Sequence, residues 1–137
     1  MADSVIHADP VAFATAWFRT ALAARPEPIT DGVEVGDVEP ETLTGPMLVI
    51  RDDSGPTTSL VTAERQLGLS VLCEMKADAI ALGLIVHALV PSMPAVAAGN
   101  PVAAVLEQNG PYLVREDQPG YRTYQTATLA VVGVPFA

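Results

Sequence analysis

An α+β fold, with a mostly antiparallel sheet and an N-terminal helix and a central helix packed on it, is what the sequence predicts. Three observations predict it. Residues 66–75 alternate as a strand requires: Leu67, Leu69, Val71, Cys73 and Met75 fall on one side, and Gln66, Gly68, Ser70, Leu72 and Glu74 on the other. Residues 77–90 form an apolar run that is longer than an ordinary strand and ends at Pro91. Residues 101–134 hold two strand-like runs around a polar connection rich in Pro and Gly. The predicted order is helix, strand, strand, strand, helix, strand, strand, in a single domain over residues 1–137.

The first helix is predicted from Pro10 to about Ala24. Asp9 can cap its free amides, Pro10 fits its first turn, and Pro26 stops it. Val11, Ala14, Phe18 and Ala21 make one stripe for the core, and Trp17 beside them is a core residue with a partner contact as its alternative role. Residues 26–46 carry four of the prolines and six acidic residues, which limits them to a short strand over Val33–Val38 within an extended surface loop. Met47–Arg51 is the next strand, Asp52-Asp53-Ser54-Gly55 its turn, and Pro56–Thr62 a hairpin tip or loop leading into the alternating strand.

The helix predicted over Ala77–Val90 has Asp78 in its first turn, where a negative charge opposes the helix dipole. Its apolar residues, Ile80 and Leu84 among them, surround the axis instead of forming a stripe. Such a helix needs cover on more than one side, either from the first helix or from a neighbouring subunit, so Ile80 and Leu84 are interface candidates. Pro91–Asn100 reads as a linker. The connection predicted from Asn109 to Tyr121 is much longer than a hairpin needs. Its Pro111, Tyr112 and Leu113 are therefore candidates for contact with a partner.

Composition narrows the function classes. Half the residues are hydrophobic, which makes this a folded chain. Cys73 is the only cysteine, so no intrachain disulfide can form, and a reducing cytoplasm suits it. With 16 Asp and Glu against 7 Lys and Arg, the net charge of −9 argues against a protein that grips phosphates. It suits a soluble domain, or a wall past which DNA slides without sticking. The N-terminus lacks the basic and apolar regions of a signal peptide. The apolar run at 77–90 is shorter than the roughly 20 residues that cross a bilayer, so no membrane partner is expected.

The residues that carry chemistry do not form a motif. His87 has no second ligand three or four residues away, and His7 lies in a stretch predicted to fray. Asp52 and Asp53 lack the later ligands of a calcium loop, and Glu34, Asp37, Glu39 and Glu41 read as a solvated loop. Neither a Gly-rich phosphate loop nor a nucleophile elbow occurs. The expectation is a non-enzyme, with no catalytic, cofactor or metal site assigned.

One family has this order of elements. The chain resembles the tail terminator proteins of long-tailed phages with non-contractile tails, especially those infecting actinobacteria. The resemblance covers roughly residues 10–134. It rests on the first helix, the Gly32-Val33-Glu34-Val35 strand, and Val49-Ile50-Arg51 running to Gly55. Leu60-Val61-Thr62, the long strand, the Ala77–Val90 helix and Gly110-Pro111 continue the pattern. It closes with Tyr121, Arg122, Tyr124, Thr126 and Thr128 before Gly133. The family often has an aromatic residue at the end of the long strand, where this chain has Cys73-Glu74-Met75, and the Asp37–Pro46 loop is unusually acidic.

The resemblance implies a homohexameric ring in the virion, at the neck-proximal end of the tail, assembled in the host cytoplasm. It implies contacts with the tail tube protein and with the head–tail connector or neck protein. DNA would pass through the ring without specific binding. On that expectation Asp52, Asp53, Glu64, Glu107, Glu116 and Asp117 are candidates to line the lumen. Two alternatives stand beside it: a head–tail adaptor of the neck, and a small α+β ligand-binding domain or enzyme with polar groups converging on the inner sheet face.

Overall fold

Asp9 starts the first helix as its position dictates. In the computed structural model, which describes residues 5–53, 55, 62–114 and 119–135, its Oδ1 accepts hydrogen bonds from the backbone N–H groups of Val11 (3.0 Å) and Ala12 (3.2 Å). Helix α1 (Pro10–Ala23) buries Pro10, Ala14, Phe18 and Leu22. Before it lies a strand, β1 (Val5–His7), and after it come β2 (Glu34–Gly36), β3 (Met47–Asp52) and β4 (Thr62–Cys73). Helix α2 (Lys76–Leu89) then leads through a short 3-10 turn at Val90–Ser92 to β5 (Val102–Val114) and β6 (Tyr121–Pro135). The result is an α+β fold with two helices and a curled, mostly antiparallel sheet of six strands.

The sheet is built around β6. Its order is β1-β6-β4-β3-β2, with β5 also paired to β6. Residues 121–132 of β6 pair with β4, residues 122–131 pair with β5, and residues 133–135 pair with β1. Only β2 and β3 run parallel. Helix α1 packs on β2 and β3, and α2 packs on β4, β5 and β6.

The face beneath the helices is set by strand alternation. Leu67, Leu69, Val71 and Cys73 of β4 are buried beside Thr123, Gln125, Ala127, Leu129 and Val131 of β6. Phe18, Leu48, Ile50, Leu82 and Val86 belong to the same core. Two polar side chains hold α2 down. Thr123 Oγ1 donates to the Ala79 carbonyl (3.2 Å) and Gln125 Nε2 to the Gly83 carbonyl (2.9 Å), one helical turn further on. Gly83 allows this closeness: a Cβ there would lie 2.5 Å from Thr123 Oγ1 and 3.5 Å from Pro111 Cβ.

Several expectations need correction. Residues 5–7 are not a frayed end: they form β1, in which Ile6 and His7 pair with Val134 and Gly133 of β6. The strand over Val33–Val38 shrinks to β2, Glu34–Gly36. Met75 does not face the core: β4 ends at Cys73, and Met75 becomes the exposed N-cap position of α2. The long connection from Asn109 to Tyr121 does not exist as such. Strand β5 continues through Gly110 and a cis peptide bond at Pro111 to Val114, and only the pairing register shifts between Asn109 and Tyr112. The expected loop over Pro56–Thr62 lies outside the described residues, save Thr62, which opens β4.

Candidate functional site

The sheet face turned away from the helices is the candidate site. Register defines its rows. Glu107, Thr128 and Gln66 lie side by side on β5, β6 and β4, next to the row of Ala104, Ala130 and Glu64. On the other side follow Asn109, Thr126, Gly68 and Arg51, and then Tyr112, Tyr124, Ser70 and Val49. The helices leave this face open. Val49 and Ser70 are buried, and in the next row the 37–46 loop approaches the Met47–Leu72–Arg122 end of the face. There Arg122 pairs with Glu39, and Leu43 comes close to Gly120. Burial lowers the pKa of the Arg122 guanidinium.

A polar cluster stands in the middle of this face. Tyr124 Oη donates to Asp53 Oδ2 (2.6 Å), Arg51 Nε donates to Asp53 Oδ1 (2.9 Å), and Arg51 Nη2 donates to Tyr124 Oη (3.2 Å). The guanidinium carbon lies 5.3 Å from the Tyr124 ring centre, and Tyr112 meets the same ring edge-on at 5.9 Å. Gly68 lies beneath: a Cβ there would be 2.7 Å from Tyr124 Oη and 2.8 Å from Asp53 Oδ2. Partial burial and the bond to Asp53 raise the Tyr124 pKa, so the phenol stays protonated and donating at neutral pH.

The lumen candidates separate. Register puts Glu64 and Glu107 on the open face, with Asp53 in the cluster at its centre. Asp52 does not join them. It pairs with Leu67, whose side chain points to the core, so Asp52 belongs to the helix side at the end of β3. Glu116 and Asp117 lie outside the described residues.

The interface candidates separate too. Trp17 is half-buried and meets Phe18 edge-on at 5.0 Å, and half-buried Pro111 packs towards Gly83 of its own chain. Internal packing accounts for both. Tyr112 is exposed apart from its contact with Tyr124. Ile80, Leu84 and Leu113 are exposed, Leu84 by 55%. Ile80 and Leu84 share a flank of α2 with His87, and Gln108 Nε2 of β5 donates to the His87 carbonyl (3.0 Å). That flank therefore lies along the β5 side of the molecule. Leu106 of β5, which the sequence did not single out, is exposed too, at the register shift between Val105 and Glu107.

A cleft of about 740 Å³ lies off the inner face. It lies at the strand ends between the 37–46 loop and residues 119–122, with Glu39, Glu41, Glu74 and Arg122 among its walls. Cys73 is buried, and burial raises its thiol pKa to about 11, a poor state for a nucleophile. Among the described residues no three His, Cys, Asp or Glu side chains are grouped to hold a metal ion, and no helix is long and apolar enough to cross a membrane. Neither a protein-family model nor a curated protein sequence matches this chain.

Proposed function

We propose that the chain is a structural subunit of a phage virion: a tail terminator that forms a ring, caps the tail tube, stops its polymerisation and offers the surface on which the head docks. The open sheet face is the observation that carries this reading. It presents Thr126, Thr128, Gln66, Glu64 and Glu107, and its arginines among the described residues, Arg51 and Arg122, are each paired with a carboxylate. A face of hydroxyls, amides and net negative charge offers phosphates little to hold, as the wall of a DNA passage requires. Exposed Ile80, Leu84, Leu106 and Leu113 supply apolar surface for contact with other subunits. Its partners are then further copies of itself, the tail tube protein and the neck.

Removing the gene from the phage that carries it tests this. Overlong tails are the expected result. Tails of normal length that fail to join heads would favour the head–tail adaptor reading instead. Normal, infectious virions would exclude both.

A further inference from the structure

We infer that the free subunit pairs with a second copy of itself, β5 against β5 about a two-fold axis, before it meets any tail. The argument starts from the two edges of the sheet and does not depend on the tail reading.

One edge is closed. The Glu34 N–H donates to the Pro46 carbonyl (3.1 Å), and Glu34 and Gly36 pair with β3 in a parallel ladder. Alternation then turns the Val35 backbone outward. Its carbonyl is already taken: Arg19 donates to it through Nε (3.2 Å) and Nη2 (2.9 Å). With only three residues and its outward acceptor occupied, β2 offers a partner strand almost nothing.

The other edge is open. Among the described residues no strand pairs with the outer side of β5, which is 13 residues long. A charged Lys or Arg on an edge strand discourages pairing, and β5 has neither. Pro111 interrupts the edge near its C-terminal end, leaving Val102–Asn109 as the stretch that can pair. Because β2 is closed and β1, which lies on the same side of β6 as β5, has only three residues, β5 of one copy finds no comparable edge of another kind on a second. Pairing of β5 with itself remains, and that contact is two-fold symmetric.

Charge selects the same surface. Two copies at −9 repel, so they can approach only where carboxylates are sparse. Along β5 the only charge is Glu107, and the adjoining α2 flank presents Ile80 and Leu84. An axis between Val105 and Leu106, the centre of the free stretch, sets Glu107 opposite Ala104 of the other copy and keeps the two carboxylates apart. The same axis sets each exposed Leu106 opposite Val105 of the other copy, with exposed Ile80 and Leu84 on the α2 flank of the same side of the molecule. Register shifts at Val102/Ala104 and Val105/Glu107 bend β5, so the paired segment is short and the dimer reversible.

Sedimentation of the purified full chain over a concentration series tests this. A monomer–dimer equilibrium is expected, tightening as salt screens the repulsion. Leu84→Glu with Leu106→Glu should weaken it by at least about tenfold while the circular dichroism spectrum stays unchanged. Gly36→Glu on the closed edge should leave it unaltered. Should the double variant misfold, a spin label at Leu106 in a Cys73→Ser background gives the second reading: a short label-to-label distance in the dimer. Monomer at every concentration overturns the proposal. So does a dimer that survives both glutamates, a distant pair of labels, or a free ring of six.

Discussion

Gly83 decides how closely α2 approaches the sheet, and so whether Thr123 and Gln125 reach its carbonyls. Alanine there would add about 1 kcal/mol of helix propensity, but its Cβ would sit 2.5 Å from Thr123 Oγ1. Overpacking of this kind costs about 1–3 kcal/mol, and pushing Thr123 away also breaks a buried hydrogen bond. The expected outcome of Gly83→Ala is a net loss of roughly 1–3 kcal/mol in denaturant unfolding. Thr123→Ala should cost less in the Gly83→Ala protein than in the wild type, because it removes the clash. Cys73 gives a pH prediction. Its folded pKa, about 11, lies above its ordinary value of 9.0, so the folded protein holds the proton more tightly than the unfolded chain. This contribution to stability is complete below pH 9 and is lost as pH rises towards 11. Stability should therefore fall across that window, and Cys73→Ala should flatten part of the fall. In the native protein at pH 8, alkylation of Cys73 should be slow and become fast on unfolding.

Elements with a local cause were legible in the sequence, and those made by distant pairing were not. Asp9-Pro10 announced α1 because capping is local, and Asp9→Ala is expected to cost about 1 kcal/mol of stability in thermal or denaturant unfolding. The alternation of β4 gave its buried set correctly as far as Cys73. Met75 failed because alternation says nothing about where a strand stops. Strand β1 has only three residues and exists through its pairing with residues 133–135, a contact spanning nearly the whole chain. Gly110-Pro111 has the composition of a turn, and nothing local reveals that β6 carries β5 past it. The Arg51–Asp53–Tyr124 cluster shows the same limit. Its members come from two places in the chain, residues 51–53 and residue 124, and only the β3–β4–β6 register brings them together over Gly68.

For the whole molecule, the charge on the open face sets the expected behaviour towards DNA. The wild-type protein should pass through an immobilised polyanion column without retention at low salt. Glu64→Lys with Glu107→Lys should be retained and elute as salt rises. In virions the same pair should slow DNA ejection, and unchanged ejection from correctly assembled tails would remove the electrostatic role of this face. The pairing of β6 has a consequence of another kind. Strands β1, β4 and β5 all dock on residues 121–135, so most of the sheet's ladder waits for the last stretch of this sequence to be made. At some 5–20 residues per second, a ribosome takes roughly 3–12 seconds to go from the end of β4 to the end of β6. Throughout that interval β4 can pair only with β3. The nascent chain therefore carries an uncovered apolar strand until β6 has been made, and a chaperone that shields extended apolar segments has that interval in which to act.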